Sequence, residues 1–330
     1  MTEQTFATRL NSFASRPEAT WPGLKGKPTP AQLAARAATV AGLTHVDLNY
    51  PDHVVGRPDI VADIKALGLA INGLAMRYYT NPAFKLGAFT NPDAGVRREA
   101  IELTKRGIDA ALSAGAPLMT LWLGQDGFDY AFQADYARLW ELEIAGIREV
   151  AEYRPECLIS LEYKPNEPRA YSLLADCATT LLAIRAAGAP NLGVTIDFAH
   201  SLYADEAPAF AAMLAARDSR LLGVHLNDGN GKRDDGLMVA SVHTLRTLEL
   251  LREIRRSDYT APLYFDTFPD LTGLDPVREC EVNIATVRQL LRVAEQLEYD
   301  ASLAAALAAQ DAVEALALVN RLLLAGPAGG

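Results

Sequence analysis

The feature that most constrains the fold is a regular alternation of short apolar runs with longer amphipathic segments along the 330 residues. A parallel sheet wrapped by helices requires this alternation. Eight strand-like runs are found, at residues 6–13, 45–50, 69–78, 117–124, 158–164, 192–199, 221–227 and 262–268. Helical segments are predicted at residues 30–41, 59–67, 93–114, 133–152, 172–187, 204–217, 242–255 and 276–298.

Local signals support the boundaries of several helices. Thr29 and Pro30 form an N-cap and first-turn pair, while Gly115 and Gly188 lie where a helix must end before the next strand. Eight strand-helix pairs without an obvious linker favour a closed (β/α)₈ TIM barrel over an open doubly wound sheet. We therefore predict a barrel domain over residues 1–298 and a C-terminal helical extension over residues 299–330.

The extension is rich in Ala and Leu at residues 301–325, which predicts a ninth helix or two short ones with a broad apolar face. Two interpretations remain open for that face. It packs over its own barrel, or it contacts another subunit.

Charge and cysteine content restrict the function classes. A formal net charge of -10 argues against a nucleic-acid partner, because phosphate binding depends on clustered Lys and Arg. Cys157, Cys177 and Cys280 are odd in number and widely spaced, so we interpret them as buried or bystander thiols of a reducing compartment. The sequence starts without the pattern of a secretory signal, and no apolar stretch approaches the roughly 20 residues of a membrane span. We expect a cytoplasmic protein without a membrane partner.

Acidic, basic and imidazole side chains recur at the ends of the last four predicted strands. Because the carboxyl ends of barrel strands converge on one mouth, these side chains are expected to be neighbours. They are Glu162 and Lys164 on strand five, Asp197 and His200 on strand six, His225 on strand seven, and Asp266 on strand eight.

Four of these groups have the character of metal ligands, namely Glu162, Asp197, His225 and Asp266. Such groups at one opening would repel each other unless a cation lay among them. Oxygen ligands with one imidazole suit a divalent Mn²⁺, Mg²⁺ or Co²⁺ ion.

A second metal position is also conceivable. His200, together with Asp234 and Asp235 in the Gly-rich loop after strand seven, could hold a second ion beside the first. A solvated turn is the ordinary interpretation of such a loop, so one or two ions per subunit remain open.

These residues resemble a known family. The E-x-K of strand five, the D-x-x-H of strand six, the histidine and Asp-Asp loop of strand seven and the aspartate of strand eight resemble the xylose isomerase-like superfamily, specifically its L-rhamnose isomerase-like aldose-ketose isomerases. The resemblance covers about residues 1–298.

The resemblance implies roles for both groups of ligands. Glu162, Asp197, His225 and Asp266 match the ligands of a substrate-holding metal, for which we expect Mn²⁺ first among the three ions. His200, Asp234 and Asp235 match the region of a catalytic metal. The family pattern there has two aspartates separated by one residue, whereas in this chain they are adjacent, and Asp228 is an alternative ligand.

The implied chemistry is an aldose-ketose isomerisation of a small free sugar in a dimer or tetramer. A metal polarises the carbonyl while hydrogen shifts between C1 and C2. Lys164 would stabilise the negative charge on the C1 oxygen, and Glu162 and Asp266 are the other expected catalytic residues.

Substrate contacts are expected from His53, Trp122, Lys164 and His200. His53 follows strand two, as a histidine does in related isomerases, and Trp122 could stack on the apolar face of a sugar. Simpler interpretations are a loop histidine and a packed core aromatic.

Three other functions compete with the isomerase. A ketose 3-epimerase needs two carboxylates flanking C3, and such enzymes usually carry Glu at the position of Asp266. A metal-dependent hydrolase would use a bridging hydroxide, and a non-enzymatic sugar-binding barrel is conceivable on the same fold. Lys164, Asp266 and the Asp234-Asp235 loop favour the isomerase.

Overall fold

The computed structural model describes residues 4–324 and forms a closed barrel of eight parallel strands, which confirms the predicted TIM barrel. Each strand pairs with its predecessor, and β8 closes the barrel against β1. The strands are β1 Phe6–Arg9, β2 His45–Tyr50, β3 Ala70–Met76, β4 Leu118–Leu121, β5 Leu158–Glu162, β6 Leu192–Asp197, β7 Leu221–Leu226 and β8 Leu263–Phe265.

Helices surround the barrel and follow it. The α-helices are α1 Pro17–Thr20, α2 Pro30–Ala37, α3 Ile60–Ala66, α4 Ala94–Ala114, α5 Tyr136–Tyr153, α6 Cys177–Ala187, α7 Phe198–Tyr203, α8 Pro208–Asp218, α9 Thr244–Arg256, α10 Pro269–Thr272, α11 Pro276–Glu298, α12 Ala301–Ala308 and α13 Ala312–Leu324. Two 3₁₀ helices span Leu10–Ala14 and Pro82–Leu86. Two short strands, Gly127–Phe128 and Tyr171–Ser172, pair antiparallel outside the barrel.

The signals predicted for helix N-termini and for helix C-termini are both confirmed. Thr29 forms a capping box with Gln32 at the start of α2, and Pro30 occupies the first turn. Gly115 and Gly188 end α4 and α6 in the left-handed conformation, with φ of 75° and 73°. These caps turn the chain back toward the next strand.

Most of the predicted strands are too long by a few residues, and in strands one and six the excess residues form helix at the mouth of the barrel. Strand one ends at Arg9, and the next residues form a 3₁₀ helix. Strand six ends at Asp197, whose carboxylate accepts a hydrogen bond from the His200 backbone N–H at 3.0 Å and so caps α7. The apolar pair Phe198-Ala199 is therefore helical, and a short buried run cannot distinguish a strand from the first turn of a helix.

The C-terminal segment forms two helices, which is one of the two predicted arrangements. A positive φ of 54° at Gln310 marks the break between α12 and α13. Leu303 and Leu318 are buried against the rest of the fold, whereas Val313 and Leu324 are 82% and 83% exposed. Residue 325, at the end of the predicted segment, lies outside the described residues. The domain boundary at residue 298 stays a prediction.

The core lies inside the barrel and between the strands and the surrounding helices. The rings of Phe6 and Phe265 stack at 5.6 Å where β1 meets β8. Cys157, Cys177 and Cys280 are free and buried, as predicted. Within residues 4–324, no helix is both long and apolar enough to cross a membrane.

Candidate metal centre

Four strand ends bring together the four residues predicted to hold the first metal. Glu162 and Asp197 are the last residues of β5 and β6, His225 lies on β7, and Asp266 follows β8. One ligand atom from each residue lies within 4.8 Å of the corresponding atoms of the other three. Glu162, Asp197 and His225 are buried, and the side chain of Asp266 is 17% exposed.

The imidazole of His225 faces all three carboxylates of this cluster. Its Nδ1 lies 3.1 Å from Oε1 of Glu162, and 4.0 Å from both Oδ2 of Asp197 and Oδ2 of Asp266. Three carboxylates and one imidazole form a donor set that fits a hard or borderline divalent cation. The cluster is thus consistent with a divalent metal site, and the donor set leaves the identity of the metal open.

The electrostatics of the cluster favour positive charge. Burial alone would lower the pKa of His225, but Glu162 and the other carboxylates raise it to about 9. Burial alone would raise the pKa of Glu162, yet His225 and His200 lower it to about 2. Burial and the neighbouring carboxylates raise the pKa of Asp197 to about 7. A pocket that stabilises imidazolium in this way is suited to a cation.

Asn227, which the sequence analysis did not single out, orients two members of the cluster. Its side-chain N–H group donates to both carboxylate oxygens of Asp197, at 3.2 and 3.0 Å, and to the backbone carbonyl of Asp266 at 3.2 Å. The side-chain oxygen of Asn227 accepts a hydrogen bond from the backbone N–H of Ala199 at 2.9 Å. Such outer contacts fix the geometry of ligands. Its position directly after strand seven was the available signal.

A second group lies beside the cluster and centres on Asp234. Oδ2 of Asp234 is 3.2 Å from Nε2 of His200 and 3.1 Å from Nζ of Lys164. Burial would lower the pKa of His200, but Asp197 and Asp234 raise it to about 10. The other oxygen of Asp234, Oδ1, is buried without a hydrogen-bond partner within the described chain. This oxygen is available to a ligand.

The structure separates the three aspartates proposed for the second metal. Asp235 accepts hydrogen bonds from the backbone N–H of Asn230 and from the guanidinium of Arg233, both at 2.8 Å. Asp228 accepts from the backbone N–H groups of Val242 and His243 ahead of α9, also at 2.8 Å. Asp234 is the one brought to His200. The second metal itself stays a prediction.

Some members of the cluster and of the second group line a cavity of about 170 Å³ at the mouth of the barrel. Its walls are Arg9, Arg77, Tyr79, Trp122, Glu162, Lys164, His200, Asp234, Asp266 and Phe268. The ammonium group of Lys164 lies 5.1 Å from the ring centroid of Trp122, as a cation-π pair. Trp122 therefore lines the cavity, and its contact with substrate stays a prediction.

Arg9 and Arg77 line this cavity, although neither was predicted as a site residue. Both lie at strand ends, Arg9 as the last residue of β1 and Arg77 directly after β3. A charged residue inside an apolar run was the available signal, but a guanidinium has no lone-pair acceptor and so does not belong to a set of metal ligands.

His53 is not among the residues that line the cavity. Its Nδ1 accepts from the backbone N–H of Asn49 at 3.1 Å, and its Nε2 lies 2.8 Å from the side-chain oxygen of Asn11. Burial lowers the pKa of His53 to about 3, which keeps the ring neutral. The proposed contact of His53 with substrate stays a prediction.

A larger cavity of about 790 Å³ lies at the opposite rim, next to the first residues of β4, β5 and β7. The cluster of predicted ligands does not border it. In this fold, catalytic groups are carried at the carboxyl ends of the strands. We therefore assign the candidate site to the smaller cavity.

The fold and the cluster define a TIM-barrel protein with a metal-ligand constellation at the carboxyl ends of its strands. The model of a family described as "Xylose isomerase-like TIM barrel" matches residues 35–292. The chain belongs to this family.

Curated relatives and solved structures agree with this assignment. Xylose isomerase of Thermus thermophilus is 28% identical over 205 residues, which cover 60% of this chain and 53% of the relative. The chain thus matches about half the length of this relative. The structure of an L-ribulose 3-epimerase matches this chain with a TM-score of 0.64 and 18% identity, and the match covers 89% of this chain and 96% of the epimerase chain. A D-allulose 3-epimerase of Methylomonas sp., in complex with D-allulose (TM-score 0.66, 15% identity), covers 87% and 97%. At these identities, the two structures show a shared fold.

Proposed function

We propose that this protein is a metal-dependent enzyme that moves a hydrogen at a carbon next to the carbonyl group of a small free sugar. The observation that carries the proposal is the buried set of three carboxylates and one imidazole, two of which, Glu162 and Asp266, line the cavity at the mouth. Vicinal sugar oxygens can complete the coordination of a divalent ion. The xylose isomerase relative and the sugar-bound epimerase structure support a sugar as the substrate.

Within this class, Lys164 favours transfer between C1 and C2, as in the L-rhamnose isomerase-like enzymes that the sequence resembles. A divalent ion bound to the cluster would supply Lewis-acid polarisation of the sugar carbonyl. Lys164 is held by Asp234 at 3.1 Å and Glu167 at 3.0 Å, and presents a fixed positive charge at the cavity. Such a charge stabilises an oxyanion that develops on a bound substrate. Trp122, beneath Lys164, offers a face for the C–H groups of the sugar.

A ketose 3-epimerase is the second candidate, and the comparisons support it better than the isomerase. Structures of an L-ribulose 3-epimerase, a D-tagatose 3-epimerase-like protein and a D-allulose 3-epimerase resemble this fold over most of its length. Glu162 and Asp266 also supply two cavity-lining carboxylates, which proton removal and return at C3 require. Asp266 is one methylene shorter than the Glu that these enzymes usually carry.

The remaining expectations belong to the same proposal. We propose Mn²⁺ as the ion, with Mg²⁺ or Co²⁺ as alternatives, and one or two ions per subunit. A homodimer or homotetramer in the cytoplasm is expected for such an enzyme.

One experiment tests the proposal and separates the two candidates. The purified protein is incubated with Mn²⁺ and a panel of aldoses and ketoses in D₂O, and products and isotope are followed by NMR. Aldose-ketose conversion with little solvent deuterium indicates a hydride shift between C1 and C2. A ketose epimer with deuterium at C3 indicates the epimerase. If no sugar of the panel is converted, the proposal is wrong.

A further inference from the structure

We propose that Arg77 anchors the part of the substrate that the metal cluster does not hold, and thereby selects substrates by a pair of adjacent oxygens at that end. The inference rests on the proposed function, because it requires a sugar in the cavity. Arg77 would be a specificity-determining residue that contacts substrate without taking part in the hydrogen transfer.

The charge environment of Arg77 distinguishes it from the other two permanent cations of the cavity. Arg9 lies 2.9 Å from Asp270 and 3.7 Å from Asp266. Lys164 is also paired with two carboxylates, at 3.1 and 3.0 Å. Within residues 4–324, no acidic side chain lies within 4.0 Å of the Arg77 guanidinium. Of the three, Arg77 alone presents a charge without a paired carboxylate.

The backbone and Nε of Arg77 are nevertheless held in place by hydrogen bonds. Its Nε donates to the side-chain oxygen of Asn49 at 2.9 Å, and its backbone N–H donates to the carbonyl of Tyr50 at 2.9 Å. Asn49 is itself buried and holds His53 through its backbone N–H. In the described part of the chain, the terminal nitrogens Nη1 and Nη2 have no hydrogen-bond acceptor. The guanidinium is therefore oriented from one side and unoccupied on the other.

A guanidinium held in this way has a defined chemical preference. Its two terminal N–H groups donate in one plane and match two adjacent oxygen acceptors. Such a pair occurs as vicinal hydroxyls of a longer neutral sugar or as the terminal carboxylate of a sugar acid. A substrate too short to carry these oxygens gains nothing from Arg77. Recognition should therefore depend on chain length.

The test uses Mn²⁺-loaded wild type, Arg77→Gln and Arg77→Lys. The Gln variant removes the charge and the planar fork, whereas the Lys variant keeps the charge alone. Arg252→Gln is the matched control, since Arg252 is also partly buried but pairs with Glu298 on the outer helices, at 3.5 Å. kcat and KM are measured for trioses, pentoses, hexoses and hexuronic acids. Calorimetric binding of the matching polyols and aldonic acids is the second readout.

We expect Arg77→Gln to lower kcat/KM for pentoses, hexoses or hexuronic acids by about 10- to 100-fold, mainly through KM, the loss expected for a charged hydrogen bond. Trioses should change by less than about threefold, and Arg252→Gln should behave as wild type. A greater loss for hexuronic acids identifies the carboxylate as the partner, and a greater loss for neutral sugars identifies hydroxyls. Both results support the anchor.

Two results would overturn it. One is an unchanged Arg77→Gln variant, and the other is an equal loss for trioses and hexoses, which would indicate general disruption of the site. If the wild type converts no sugar, but the Arg77→Gln variant binds the polyols or acids less tightly than the wild type does, the proposed function fails while the anchor stands. If wild type binds none of these ligands, both proposals are wrong.

Discussion

Nδ1 of His225 lies 3.1 Å from Oε1 of Glu162, although 63 positions separate the two residues in the sequence. They belong to β7 and β5, and β6 between them supplies Asp197 to the same cluster. The contact exists because the carboxyl ends of consecutive barrel strands converge. In the absence of an ion, a protonated imidazole provides the positive charge that the carboxylates require, so a cation and this proton compete for one place.

This competition predicts that Mn²⁺ affinity rises with pH. The pKa of His225 is raised to about 9, so at pH 7 its ring must lose a proton before Nδ1 can bind a metal. The association constant should increase about tenfold per pH unit up to about pH 9 and then level off. Below about pH 7 the dependence should be steeper, because the pKa of Asp197 is raised to about 7 and that carboxyl must ionise too.

Isothermal titration with Mn²⁺ at pH 6.5, 7.5 and 8.5, in buffers of different ionisation enthalpy, measures both the affinity and the protons released. About one proton per ion is expected at pH 7.5. Affinity that does not vary with pH would contradict a site built on His225.

Removing one carboxylate of the cluster should abolish turnover. Glu162→Gln and Asp266→Asn each delete a charge that the ion needs, and Mn²⁺ affinity should fall by at least about 100-fold, which exceeds the loss typical of outer contacts. Asp235→Asn is the control, because its carboxylate bonds to Asn230 and Arg233 away from the cluster. Turnover, calorimetric Mn²⁺ binding and circular dichroism are compared. Wild-type turnover in either cluster variant would exclude the site.

The barrel and the four-residue cluster could be predicted from sequence for one physical reason. Strand ends in this fold share a mouth, so Glu162, Asp197, His225 and Asp266 needed only correct strand assignment to be placed together. Errors of a few residues in strand length still left these four residues near the carboxyl ends of their strands.

The surroundings of the cluster depend on loop and side-chain geometry, which spacing does not encode. Asp234 and Asp235 are adjacent in sequence, yet one contacts His200 and the other bonds within its own loop. Arg77 reaches the cavity because Asn49, on the neighbouring strand, fixes its Nε. Neither relationship follows from a hydrophobic period or from a motif.

Asn227 should act as a positioning residue for the metal ligands. Asn227→Ala removes the donor shared by both oxygens of Asp197 and the backbone carbonyl of Asp266. Mn²⁺ affinity should fall by about 10- to 100-fold, the range typical of outer contacts to ligands. Calorimetry measures this loss, and saturating Mn²⁺ should restore most of the turnover. A variant with unchanged Mn²⁺ affinity would show that Asp197 holds its orientation without Asn227.

The loop that carries Asp234 should depend on Gly236. This glycine has a φ of +56°, and a Cβ there would lie 2.3 Å from Cδ2 of Phe268, which lines the cavity. Gly236→Ala therefore combines about 1–2 kcal/mol of left-handed backbone strain with a steric overlap that must move either the Phe268 ring or the loop.

Gly231→Ala is the matched control for this variant, since it lies in the same loop with a φ of +68° and its Cβ would meet no atom closer than 4.0 Å. Both variants should lose stability in urea unfolding, with Gly236→Ala losing at least about 1 kcal/mol more, because overpacking adds to the strain. Only Gly236→Ala should also lower turnover, because displacement of the loop separates Asp234 from His200 and Lys164. Equal stability and equal turnover in the two alanine variants would mean that Phe268 moves aside freely and that the loop does not depend on this contact.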